Sequence, residues 1–143
     1  MKLVIRAVGK MRDKPMAALC DEYLGRLRRH LPVEVHDLAD DAALLGGIRD
    51  EGGQREIVAL HPVGREMTTA ELKQFIERHM THGTRSLTFL IGGSEGLSKA
   101  TLAGCQHQLS LSRLTFPHRL ARVILCEQLY RCVSSIRGEP YDK

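Results

Sequence analysis

Apolar positions along this chain switch between two periods. Leu3-Val4-Ile5-Arg6-Ala7-Val8 is a compact, β-branched run that ends at Gly9, the pattern of a buried strand. Asp13 followed by Pro15 suits an N-cap with a proline in the first turn. Met16, Leu19, Cys20, Tyr23, Leu24, Leu27 and Leu31 then recur at helical spacing until Pro32 stops the helix. Val33 to Leu38 alternates as a second strand. Gly46, Gly47, Gly52 and Gly53 crowd the next stretch, so any helix between Asp41 and Arg49 is predicted to be short and weak. Glu56-Ile57-Val58-Ala59-Leu60 predicts a third strand, ending at His61-Pro62-Val63-Gly64. Thr68 with Glu71 forms a capping box for a helix that buries Leu72, Phe75, Ile76 and Met80 and closes at Gly83. Leu87-Thr88-Phe89-Leu90-Ile91 is a fourth strand and breaks straight into Gly92-Gly93-Ser94-Glu95-Gly96. Leu109 to Phe116 is apolar with Ser110, Ser112 and Thr115 inserted, too short and irregular to read as a solvent-facing strand. A last helix, Arg119 to Arg137, is apolar nearly all round and leads into a tail, Gly138-Glu139-Pro140-Tyr141-Asp142-Lys143.

Strand and helix alternate, so the expected class is α/β: a mainly parallel sheet covered by helices. At 143 residues the chain is expected to be a single domain, 1–143. Ligands of such sheets sit beyond the carboxyl ends of the strands. Those ends are Val8-Gly9, Leu60-His61 and Ile91-Gly92, and the glycine-rich third is where the site is expected. Gly92-Gly93-x-x-Gly96 is no P-loop, for no Gly-Lys-Ser/Thr follows, and it does not fit the dinucleotide fingerprint. It reads either as a ligand cradle or as a tight turn before Leu97-Ser98.

Composition narrows the picture a little. The net charge of +4 is compatible with an anionic partner without demanding one. Four cysteines without C-x-x-C spacing read as buried free thiols. The charged N-terminus and the lack of any run of about 18 apolar residues point to a soluble, cytoplasmic protein without membrane attachment. Arg26, Arg28, Arg29 and His30 suit a helix C-terminus, or a phosphate contact. His79 and His82 could share a metal but lack a third ligand, and the expectation is no metal. In the last helix Glu127 lies four residues before Arg131. The two form either a structural ion pair, or an arrangement in which Arg131 is spared to face a substrate. A nonpolar helix of this kind either crosses the core or meets a second subunit.

Three motifs then stand together: Ile91-Gly92-Gly93-Ser94-Glu95-Gly96-Leu97, Leu114-Thr115-Phe116-Pro117-His118 and Glu127-Gln128-Leu129-Tyr130-Arg131. With Ala7-Val8-Gly9-Lys10, Glu22-Tyr23 and Arg26-Leu27, they resemble the SPOUT-type large-subunit rRNA pseudouridine N3-methyltransferases over essentially the whole chain. The resemblance implies a C-terminal deep trefoil knot threaded by the last helix, which chain-connection rules would never propose. It also implies a homodimer, S-adenosylmethionine as cofactor, and large-subunit (23S) rRNA, within the assembled ribosome, as substrate. The implied cofactor residues are Leu60, Gly93, Leu111, Ser112, Arg113, Leu114, Thr115 and Phe116. The implied catalytic residues are Arg131, Tyr141 and Asp142. Three departures stand out: Asp142 where the family has histidine, His61 where it often has aspartate, and a shorter segment from 40 to 56. Two other readings remain: an RNA- or ribosome-binding dimer that kept the fold without the chemistry, and a nucleotide- or small-molecule-binding α/β protein.

Overall fold

The computed structural model describes residues 1–48 and 54–142. Five strands, β1 (Lys2–Val8), β2 (Val33–Leu38), β3 (Arg55–Glu66), β4 (Ser86–Ile91) and β5 (His107–Ser110), form one sheet in the order β2-β1-β4-β3-β5. Every pairing is parallel: Leu3 faces both Val33 and Leu87, Ile57 faces Thr88, and Leu60 faces Leu109. The four helices are α1 (Lys14–Leu27), α2 (Thr69–Thr81), α3 (Lys99–Ala103) and α4 (His118–Ile136).

Central position explains the unbroken apolar run of β4, since a strand covered on both faces has no polar side to alternate with; Leu87, Phe89 and Leu90 are fully buried. One face carries the main core, where Leu3, Ile5, Val58 and Phe89 meet Leu24 and Leu27 of α1, Phe75 and Ile76 of α2, and Leu125, Leu129 and Val133 of α4. The other face holds a smaller cluster of Leu44, Ile57 and Leu90. Arg6 tethers the turn above that cluster, its guanidinium donating to the carbonyls of Ala43, Leu44 and Gly46.

The caps fall where the sequence puts them. Asp13 Oδ1 accepts from the Met16 N–H at the start of α1, and Thr68 and Glu71 cap α2 reciprocally. Gly138, at φ +81°, donates to Ser135 while Glu139 donates to Ser134. That is a complete Schellman stop, and it turns the tail back.

Three predictions are corrected. The third strand does not end at Leu60: it runs to Glu66 through a bulge, so that Arg65 again faces Leu109. Pro62 is tolerated there because β4 pairs with β3 only as far as Ala59. Part of the irregular run is a strand after all, β5, an edge strand of four residues. Before it α3, capped by Ser98, occupies a stretch to which the periodicity assigns no element. The helix ending at Leu31 stops at Leu27 and finishes in turns. The weak helix from Asp41 reduces to a 3-10 turn, Asp41–Ala43, and its predicted end at Arg49 lies outside the described residues, as do Gly52, Gly53 and Lys143.

Candidate active site

A cleft of about 570 Å³ opens at the carboxyl ends of β3, β4 and β5. Its walls are Leu60-His61-Pro62, Ile91 to Gly96, Leu109 to Ser112, Leu114 to His118, and Ala121. The volume and the mixture of apolar walls with few polar groups suit a small-molecule ligand. The glycine loop is both turn and wall. Gly96 donates to the Gly93 carbonyl at 3.0 Å, and a Cβ on Gly92 would stand 2.7 Å from the Gly96 carbonyl carbon. Opposite it, Ser110 Oγ donates to the Ser112 carbonyl, and Ser112 Oγ accepts from the Leu114 N–H, so the 110–114 turn is held by its own side chains. Leu114 is 73 % exposed, apolar surface left bare at the lip. The buried Nδ1 of His61 has no hydrogen-bond partner.

A second polar cluster lies near the other end of α4. Arg131 Nε donates to Glu127 Oε1 at 2.8 Å, and Nη1 donates to Asp142 Oδ1 at 3.1 Å. The guanidinium sits over the Tyr141 ring, 4.9 Å from its centroid. Tyr141 donates its hydroxyl to Glu127 Oε1 at 3.2 Å and packs its ring 4.7 Å from that of Tyr130. Desolvation, then hydrogen bonding to Tyr23 and the nearby Glu127 charge, push the Tyr141 hydroxyl up to about 12. It is therefore a proton donor at neutral pH. Glu127 and Asp142 push the Arg131 guanidinium further up, so it stays charged. Glu139 Oε2 lies 3.4 Å from the buried His30 Nε2 at the end of α1, near it but without a hydrogen bond.

The model of one protein family, described as "Predicted SPOUT methyltransferase", matches residues 1–142. The chain belongs to the SPOUT methyltransferase family. Two full-length relatives carry the name "Ribosomal RNA large subunit methyltransferase H". That from Sorangium cellulosum is 39% identical, with 99% of each chain covered. That from Bacillus pumilus is 36% identical, with 100% of each covered. The Bacillus alignment runs over 159 positions against 143 residues here, so that relative carries insertions. Two solved structures share the fold. A probable methyltransferase from Bordetella pertussis Tohama I has a TM-score of 0.55 at 11% identity, covering 92% of this chain and 95% of its own. A probable methylase family protein from Haemophilus influenzae Rd KW20 has a TM-score of 0.57 at 9% identity, covering 99% and 70%.

In this SPOUT methyltransferase the structure gathers Leu60, Gly93, Leu111, Ser112, Leu114, Thr115 and Phe116 around one cleft. Arg113 points away, its side chain 89% exposed and 3.8 Å from Glu66. Arg131, Tyr141 and Asp142 do meet one another, but none of them lines the cleft, and the backbone of Arg131 lies ten residues along α4 from the cleft wall at Ala121, a rise of about 15 Å. Sequence reasoning passed over His118, Ala121 and Glu95 as cleft residues, although His118 follows the proline that opens α4 and was readable from that. Among the described residues no three His, Cys, Asp or Glu side chains are placed to hold a metal, and no helix is long and apolar enough to cross a membrane. His79 instead bonds Thr84, and His82 bonds its own helix at the Arg78 carbonyl.

Proposed function

We propose that this chain is an S-adenosylmethionine-dependent methyltransferase that modifies N3 of a pseudouridine in large-subunit rRNA, working as a homodimer on the cytoplasmic ribosome. The observation that carries this reading is full-length similarity to relatives named as large-subunit rRNA methyltransferases, in a chain that keeps an open cleft at the glycine loop. The N3 specificity rests on the motif resemblance around Gly93, Phe116 and Arg131, and the trefoil knot rests on it as well.

The cleft fits the cofactor. The close approach of Gly92 to Gly96 allows a bare backbone wall, and the unpartnered His61 Nδ1 is a buried polar atom that a ring rotation could offer to a ligand. Leu60, Leu111, Leu114 and Phe116 would wall the adenine, with Gly93 and the 112–115 backbone along the remainder. The cofactor supplies an electrophilic methyl group when bound. The chain has then to align the acceptor and to stabilise the anion left when the N3 proton departs. Arg131 supplies charge and the protonated Tyr141 a hydrogen bond; Asp142, bonded to Arg131 at 3.1 Å, is the second carboxylate of the cluster beside Glu127. Since these groups stand apart from the cleft of their own chain, a symmetric second copy packed along α4 would carry them to the partner's cleft.

A second reading is favoured by one observation: Arg131 already carries two carboxylates, as a structural clamp would. A dimer that binds RNA without chemistry need not bind S-adenosylmethionine, whereas a catalyst must. Titration calorimetry with the cofactor separates the two. Transfer of labelled methyl groups to purified ribosomes, followed by mass mapping of the rRNA, tests the activity itself. No label in rRNA from any assembly state would overturn the proposal.

A further inference from the structure

Beside the cleft, a narrow void of about 10 Å³, room for one water, is lined by Ala7 to Met11, Ile91, His118, Arg119 and Arg122, with the Lys10 and Arg119 side chains outside it at the surface. It shares Ile91 and His118 with the cleft, so the two openings adjoin. Three of the lining residues are strong cations. Arg122 is nine-tenths buried and its Nη2 lies 2.7 Å from Asp37 Oδ1, so its charge is answered within the fold. Lys10 and Arg119 are exposed, and among the described residues neither has an ion-pair partner. Gly9 takes φ +82°, a backbone state that turns the chain sharply out of β1 and fixes where Lys10 emerges.

Two exposed cations with no counter-charge among the described residues, both beside the mouth of the cleft, make a local positive field that favours an anionic group of the substrate. We propose that Lys10 and Arg119 grip a backbone phosphodiester of the substrate RNA, one flanking the nucleotide whose base enters the cleft. This deepens, and rests on, the reading of the protein as an rRNA methyltransferase. The contact positions the strand and carries no base specificity. Arg122, clamped by Asp37, forms the floor of the site and stays out of the exchange.

The test compares the double variant Lys10→Glu/Arg119→Glu with Arg78→Glu/Arg85→Glu. The second pair has the same net charge, with the substitutions made at exposed positions in the last turn of α2 and just before β4. Methyl transfer to ribosomes, affinity for an rRNA fragment across a salt series, and cofactor affinity are all measured. The expected result is a tenfold or greater rise in KM for RNA for the first pair only. Its slope of log affinity against log salt should fall by roughly 0.7, the loss of one neutralised single-strand phosphate. Cofactor affinity should be unchanged in both. Equal KM and equal salt slopes in the two pairs would overturn the inference while leaving the methyltransferase reading intact. Wild-type protein that transfers no methyl group to rRNA would overturn that reading instead. If the glutamate pair fails to fold by circular dichroism, Lys10→Ala/Arg119→Ala serves, with the same slope change expected and an unchanged slope overturning the inference.

Discussion

Arg131 decides the charge balance of the tail. One guanidinium stands between Glu127 and Asp142, while Tyr141 adds a hydroxyl to the first carboxylate and a ring beneath the cation. Arg131→Ala should lower turnover by about 10²-fold, the scale of losing one transition-state charge donor, while the calorimetric affinity for S-adenosylmethionine stays nearly constant. Full turnover would remove Arg131 from the chemistry. At position 142 a silent Asn together with a more active His marks the carboxylate as a tolerated departure. An inactive, folded Asn variant marks it as the base. In the glycine loop the tighter position is Gly92. Gly92→Ala sets a methyl against the Gly96 carbonyl carbon, so the turn must open, and cofactor binding should be lost with the circular dichroism spectrum kept. Gly93→Val, whose Cβ meets Val8 Cγ1 at 3.3 Å, should do the same by pushing the loop away from the end of β1. Unchanged cofactor affinity in both would place the cofactor elsewhere.

Among the elements, α3 is the one held by a single side chain. Asp41 accepts from the Ser98 N–H at 3.0 Å, the Ser98 hydroxyl at 2.6 Å and the Thr101 hydroxyl at 2.8 Å. The Ser98 bonds first, then that of Thr101, hold its carboxyl below the ordinary value of 3.8. A depressed carboxylate stabilises the fold above its unfolded value and loses that contribution as pH falls through the folded one. Asp41→Asn should therefore cost about 1 kcal/mol at pH 7, and the gap to wild type should close in acid. Urea denaturation at neutral and acid pH measures both; a gap independent of pH would show that the charge is irrelevant. The sequence revealed neither this joint nor β5. Both are short, and β5 is completed by β3 continuing past Pro62, where Arg65 faces Leu109 and Glu66 faces Ser110. The long elements were readable because their periodicity reports burial directly, in Leu3 to Val8 as in Met16 to Leu27. The cleft residues were readable for a related reason, since strand ends and glycines mark where a parallel sheet opens. The separation of Arg131 from that cleft was not, because motif spacing says nothing of how far a helix carries a side chain.

At the scale of the whole molecule, α4 leaves Leu120, Ile124 and Gln128, one stripe four residues apart, only half covered by its own chain. Ile124→Glu should therefore convert a dimer into a folded monomer in sedimentation. A soluble, active dimer would exclude this stripe from the interface. Leu129 is fully buried within the chain, and a charge there would unfold the protein rather than report on assembly. The sheet order carries a different consequence. β1 bonds on one side to a strand that begins at Ser86, and among the described residues no two strands are joined by a hairpin. Loops must close before these pairings reward the chain, which places folding in roughly the millisecond-to-second range or slower. Throughout that interval Cys20, Cys126 and Cys132, sealed in the finished core, are open to oxidation. Refolding from denaturant should give high yield with a thiol reductant and a markedly lower yield without it, whereas the native protein tolerates the same oxidising buffer. Equal refolding yields would mean that the core closes over its thiols faster than this topology allows.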